Sequence, residues 1–416
     1  MRQHRLIATL VNLRGNPRGC VYTEPLWGIP FNLYAPYVSV YMLALGLTDQ
    51  QIGLIVSITM GVQIGMMLLS GVVTDKLGRR RTTLISDILS WSIPALISAL
   101  AQNFWYFLIA GLLNTFWRIS WNAWSCLLVE DADPEQLVDI YTWIYIANQL
   151  VGFIAPLAGV VIGSYGLVPT MRGLYLLAAF MFTLKALTTY WLTSETKQGL
   201  VRLQQTQHQS IFSILGEYKG VLQALLHSPQ TLYLAAIILV NHITWTINGS
   251  FWAIIVTQKL QVPEQYLAFF PFLKSGIMLI FFFALIPLIN KLPFRLPLTL
   301  GFLGYVISQL LLISAPVQGY VFLIISVFLE ACSYATVTPL MDKLTALTID
   351  AKERARIQSI VFMVVILLTA PFGWIAGTLS EINKALPFLV NMILYLVGSG
   401  LAFYIGSMAQ KKAITI

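Results

Sequence analysis

The chain has 416 residues, of which 57% are hydrophobic and only 10% charged, and its mean hydropathy is +0.77. Soluble domains average roughly 45–50% apolar and about 25% charged residues, so a soluble enzyme, a disordered protein and a secreted disulfide scaffold are excluded. Lys and Arg (25) outnumber Asp and Glu (17), giving a net charge of +8. In a membrane protein that excess gathers in cytoplasmic loops and does not mark a nucleic-acid site. The three cysteines, Cys20, Cys126 and Cys332, are too scattered and odd in number for a disulfide framework.

In chain order, Arg2, Arg5, Arg14 and Arg18 surround a short apolar run, Leu6 to Leu13. The run is too short to span and lacks a cleavage pattern, which predicts a cytoplasmic interfacial segment over 1–24. A spanning helix needs about 20 mainly apolar residues. Six such runs follow, at 25–47, 52–74, 82–102, 104–127, 140–164 and 172–193. Six more lie at 231–257, 265–290, 296–314, 318–340, 357–379 and 385–408. With both termini inside, 19 basic residues fall in cytoplasmic segments and three, Arg172, Lys259 and Lys384, fall outside; Arg118, Lys185 and Lys274 lie within runs. That asymmetry fixes the expected orientation.

The one long polar break, 194–230, divides the chain into a bundle over 25–193 and another over 231–408, with a tail at 409–416. Within the break, Ile211, Ile214, Leu215, Tyr218, Val221, Leu222 and Leu225 recur at helical spacing, predicting an amphipathic linker helix. The halves also read as copies. Asp75-Lys-Leu-Gly-Arg-Arg80 parallels Asn290-Lys-Leu-Pro-Phe-Arg295, and Asp131-Ala132 parallels Asp350-Ala351. Parallel repeats about an axis along the membrane normal are a transporter architecture, with the site at mid-membrane.

The segment from Gly71 through Asp75, Lys76, Gly78, Arg79 and Arg80 to Arg81 matches G-x-x-x-D-[RK]-x-G-R-[RK]-[RK] at every specified position. This closely resembles the signature loop of the major facilitator superfamily. The resemblance implies an all-α integral membrane protein, with twelve helices in two six-helix bundles related by a pseudo-twofold axis along the membrane normal. It implies that Asp75 meets the helix starting near Ile357 and that Arg79 pairs with Glu130 or Asp131. Asp75 and Arg79 are then gate residues and not substrate ligands. Gly61/Gly65, Gly159/Gly163 and Gly373/Gly377 form G-x-x-x-G pairs that let backbones approach; static packing and a rocking interface both fit them. Ala155-Pro156-Leu157-Ala158-Gly159 resembles the fifth-helix motif of exporters, with Ala155 in place of its first glycine and Val160 in place of its last.

Ionisable residues inside a bilayer cost at least about 2.5–3.5 kcal/mol each, so they need a partner or a watery site. Arg118 resembles the arginine of the family's fourth-helix motif, although Asn122 departs from the usual glycine. Helices 1, 4, 7 and 10 line the cavity in the implied fold. Arg118, Glu330 and Lys274 are expected around it, with Glu330 as the coupling carboxylate or as one half of a permanent ion pair. Asp87 and Lys185, on supporting helices near the cytoplasmic surface, read as a structural pair, or Lys185 as snorkelling to the interface. Further lining candidates are Asn32, Tyr34 and Tyr37, then Asn114, Trp117 and Trp121, then Asn241, His242, Trp245 and Asn248.

No Walker loop, H-E-x-x-H or G-x-S-x-G occurs, so ATP coupling and hydrolase chemistry have no motif behind them. The expectation is a non-enzymatic secondary transporter of the cytoplasmic membrane, both termini cytoplasmic and monomeric. It needs no cofactor or metal beyond the proton gradient, and its partners are protons, a small-molecule substrate and lipid. The leading reading is an antiporter for efflux of a small amphiphilic compound. A proton-coupled importer of a sugar or organic anion is second, and a non-transporting receptor or scaffold is third. The complete signature loop and the central charges speak against the last.

Overall fold

The computed structural model describes residues 10–133, 136–206, 229–284, 295–348 and 354–413, and every regular element in them is helical. The elements are α1 (Gly15–Tyr34), α2 (Val38–Ala44), α3 (Asp49–Leu77), α4 (Arg79–Asp87), α5 (Ile93–Ala99), α6 (Phe104–Asn114), α7 (Trp117–Val129), α8 (Leu137–Gly152) and α9 (Pro156–Tyr165). Then come α10 (Leu167–Leu192), α11 (Lys197–Thr206), α12 (Pro229–Ile254), α13 (Phe269–Ala284), α14 (Arg295–Ser314), α15 (Tyr320–Thr348), α16 (Arg354–Ile382) and α17 (Leu386–Ala413). Nine helices among the described residues are long and apolar enough to cross a membrane. The other three apolar runs are helical in shorter pieces: a 3-10 turn at Ala35–Tyr37 separates α1 from α2, Thr115 and Phe116 separate α6 from α7, and α13 is described over 16 residues.

Two breaks have covalent causes. Pro156 has no N–H to give the carbonyl of Gly152, so α8 ends there and α9 begins. Pro94 likewise cannot donate to Ser90, and the helix loosens into a π turn at Ile88–Ser92 just before it.

The first helix differs from the sequence expectation. It starts at Gly15, not at residue 25, and buries Asn16, Gly19, Cys20, Thr23 and Glu24. Polar residues in these added turns are satisfied inside the protein: Asn16 donates to Asp131 (3.0 Å), and the Thr23 hydroxyl meets that of Thr189 (2.8 Å). The linker helix predicted over Ile211–Leu225, the loops Asn290–Phe294 and Asp350–Ala351, and most of the run Leu6–Leu13 lie outside the described residues.

The chain forms two compact units, residues 1–47 with 58–216, and residues 48–57 with 217–416. In the first, Leu13, Cys20, Val21, Trp124, Leu127, Leu128 and Ile140 form an apolar core between α1, α7 and α8. In the second, Leu234, Ile237, Phe302, Tyr305, Val337, Leu340 and Tyr395 join α12, α14, α15 and α17. The first turns of α3 therefore pack with the second unit, which moves that boundary inside a helix. Lys384 Nζ lies 2.7 Å from Asp49, which also accepts from Ser380, and the Trp374 N–H donates to Ser57 (2.7 Å). A Cβ on Gly377 would sit 2.6 Å from the Asp49 carbonyl oxygen, and one on Gly53 would collide with that of Gly373. Of the predicted glycine pairs, Gly373/Gly377 thus makes a close backbone crossing, whereas Gly61 and Gly65 have open space around them. Apolar side chains left exposed face the surrounding medium; Trp191, near the end of α10, is 75% exposed and Arg172 on the same helix is exposed too.

Candidate transport site and gate

The signature loop builds a dense polar cluster in the first unit. Gly78 has φ +82°, a conformation that side chains rarely adopt, and it turns the chain from α3 into α4. The new N-terminus exposes backbone N–H groups, and Glu195 caps them: its carboxylate accepts from the N–H of Arg79 (2.9 Å) and of Arg80 (3.1 Å). Arg79, only 4% exposed, donates from Nη1 to Asp75 (2.9 Å) and from Nε to Glu130 (3.2 Å). Thr196 completes Glu130, and Asn16 joins Asp131 to the Ser194 N–H (2.8 Å). Arg80 donates to the Tyr190 carbonyl (2.9 Å) and stacks 3.8 Å over its ring. Lys76 lies in the last turn of α3, and Gly71 has open space beside it. Sequence reasoning missed Glu195 because its partners are backbone groups 116 residues away, which no side-chain pattern announces. Gly78→Ala should destabilise the protein by about 1–3 kcal/mol, since its Cβ would also sit 2.5 Å from Glu195. A melting temperature equal to that of the wild type would show that the turn tolerates a side chain.

Several polar residues expected around a cavity are used for packing in the first unit. Asn114 donates to the Ser90 carbonyl (2.7 Å), the acceptor that Pro94 leaves without a helical donor. Asn32 donates to Gly28 of its own helix (2.9 Å), Tyr37 is completely buried, and Tyr34 packs on Tyr175 and Phe182. Trp121 is 56% exposed and leans on Trp124. In this unit those five residues thus make contacts within or beside the helices that carry them. Arg118 keeps its interest: Nε donates to Gln63 (3.1 Å) and its guanidinium lies 4.0 Å over the Trp117 ring, with no carboxylate paired to it among the described residues. Pro156 starts α9 and Gly159 is buried within it.

In the second unit the predicted residues do converge. Lys274 on α13 donates to Glu330 on α15 at 2.7 Å, with the two side chains 30% and 13% exposed. The ammonium also lies 5.5 Å from the Tyr334 ring, one turn along α15. Tyr334 in turn lines a cavity of about 210 Å³ with Asn241, His242, Trp245, Thr338 and Phe362. Asn248 is elsewhere. It accepts from Asn391 (3.0 Å) and donates to Tyr395, tying α12 to α17. A wall with a histidine, an amide and three aromatic rings, one of them beside an ion pair, can hold a molecule that is part polar and part apolar.

The sequence profile of the Major Facilitator Superfamily matches residues 27–364. The chain belongs to the major facilitator superfamily. No curated protein sequence matches it. Solved structures share the fold of this superfamily member at low identity. The nucleoside transporter NupG aligns with TM-score 0.69 at 14% identity, over 94% of this chain and 98% of that one. A POT family transporter bound to a thioalcohol-conjugated peptide gives 0.68 at 13%, over 98% and 99%. The human organic anion transporter MFSD10 gives 0.63 at 15%, over 96% and 100%. The chain is therefore a multi-pass membrane transporter and not an enzyme, and superfamily transporters need no cofactor. Among the described residues no cluster could hold a metal ion.

Proposed function

We propose that this superfamily member is a proton-coupled transporter that exports a small amphiphilic compound with an anionic or zwitterionic head, by alternating access. The observation that carries the reading is the Lys274–Glu330 pair within a membrane-spanning part of the second unit, next to a cavity reached through Tyr334. A carboxylate held by one ammonium at 2.7 Å can accept a proton and release that ammonium, which then attracts an anionic group. Trp245, Phe362 and Ile238 suit the apolar part. The outward direction rests on the degenerate fifth-helix motif around Pro156 and Gly159.

Glu330→Gln is expected to abolish pH-driven accumulation in proteoliposomes while leaving substrate exchange intact, because exchange requires no net proton release. If the variant still concentrates substrate against a gradient, Glu330 is structural. Running a compound panel with imposed pH gradients of each sign gives the direction. Tighter binding of cations than of matched anions at both acid and neutral pH would overturn the substrate class.

A further inference from the structure

The first unit contains a second set of buried charges with one carboxylate too many. Asp87 on α4 is 2% exposed and accepts from Lys185 Nζ on α10 (2.6 Å) and from the Ser120 hydroxyl on α7. Glu24 on α1 is 8% exposed, and the nearby Asn148 amide on α8 donates to the Ile144 carbonyl of its own helix. No Lys, Arg or His lies within ion-pairing distance of Glu24 among the described residues, although Lys185 and Asp87 both act on it electrostatically. The neighbouring Thr23–Thr189 contact sets α1 against α10 at this level, one turn from Lys185, and the charged and titratable groups that act on Glu24 are Lys185, Asp87 and the Cys20 thiol on α1 itself. The ring of Trp124, 5.9 Å from the ammonium, and the Thr23–Thr189 hydroxyl pair close the surroundings.

Two buried carboxylates lie around one ammonium that pairs with Asp87 alone, so the fully ionised cluster carries a net charge of −1 in surroundings that do not solvate it. A single proton makes it neutral. The ammonium and a hydroxyl are both directed at Asp87, which leaves Glu24 as the group to hold that proton. The chain could have matched one cation with one anion and did not.

We propose that Glu24 is a proton-binding site of the transport cycle, separate from Glu330, and that it binds and releases one proton as Lys185 alternates between Asp87 alone and both carboxylates. The proton enters from water onto a Glu24 carboxylate oxygen and leaves the same way. The site has a direct route to the gate: α4 carries Asp87 two turns from Arg79, and α10 carries Lys185 near Tyr190, the partner of Arg80. The coupling role rests on the proton-driven reading above, whereas the protonation itself does not.

Two arms separate them. Infrared spectra of the reconstituted protein, titrated from about pH 5 to about pH 9 to bracket ordinary and burial-shifted carboxyls, should show a protonated carboxyl band at neutral pH. That band should vanish in Glu24→Gln, persist in Glu330→Gln, and return with a shifted midpoint in Glu24→Asp. Glutamine mimics the protonated acid, so Glu24→Gln should melt within a few degrees of the wild type. Absence of the band in the wild type, or its persistence in Glu24→Gln, overturns the proposal without touching Glu330. In transport, Glu24→Gln should move one proton fewer per substrate; an unchanged ratio overturns the coupling role.

Discussion

Replacing Lys185 by Met should destabilise the purified protein by about 3–5 kcal/mol, the usual cost of removing one partner of a buried ion pair. The reason is geometric. Asp87 is 2% exposed, Lys185 is its one cationic partner among the described residues, and the Ser120 hydroxyl cannot neutralise it. With the ammonium gone, Asp87 must either stay ionised without compensation or take up a proton. The loss should therefore shrink as pH falls, because protonation removes the uncompensated charge. Combining Lys185→Met with Asp87→Leu should recover most of the stability, since an apolar pair of similar volume needs no charge balance. Thermal unfolding in mild detergent checks all three statements. If the single variant melts like the wild type at neutral pH, the pair does not hold α4 to α10.

The second large effect is kinetic. Arg79→Ala should slow transport at least about tenfold, the factor carried by about 1.4 kcal/mol of differential stabilisation, while substrate affinity stays within a few-fold. Arg79 is nearly buried and binds two carboxylates, Asp75 and Glu130, so its removal leaves Glu130 without a cation among the described residues and Asp75 with only Arg202, 4.0 Å away. None of its contacts touches the cavity lined by Tyr334 and His242. Asp75→Asn should act in the same direction but less strongly, because Glu130 would still engage Arg79. Initial rates and equilibrium binding on the same reconstituted samples decide the matter. Lost binding with normal turnover of bound substrate would falsify the gate role.

The apolar runs were legible because a bilayer imposes length and composition together, so most described helix ends from Asp49 onward fall within about five residues of the runs, although α15 continues eight residues further, to Thr348. The start of α1 was not. Hydropathy treats Asn16 and Glu24 as solvent-seeking, and nothing local says that Asp131 or Asn148 will meet them. The spacing of Gly19 and Thr23, one helical turn apart, was the available signal. The pairing of Asp87 with Lys185 could be read because two opposite charges at matched depth have few alternatives in lipid. Asn114 misled for a subtler reason. Its partner is a backbone carbonyl freed by Pro94, so the need it fills arises on a different helix. The closeness of Lys274 to Glu330 was one of two open readings, since depth alone cannot say which face of α13 or α15 a side chain takes.

One helix also sets a dimension. Arg172 and Trp191 are both exposed on α10 and stand 19 residues apart, which at about 1.5 Å per residue separates them by about 29 Å. Cationic and indole side chains settle at the headgroup level, and that spacing is close to the roughly 30 Å thickness of an ordinary hydrocarbon core. Between them Phe180, Leu184 and Leu187 present apolar surface. The protein thus carries its own gauge of bilayer thickness. In markedly thinner or thicker lipid one anchor must leave its layer or the helix must tilt, so acyl-chain length belongs among the variables that set its working rate.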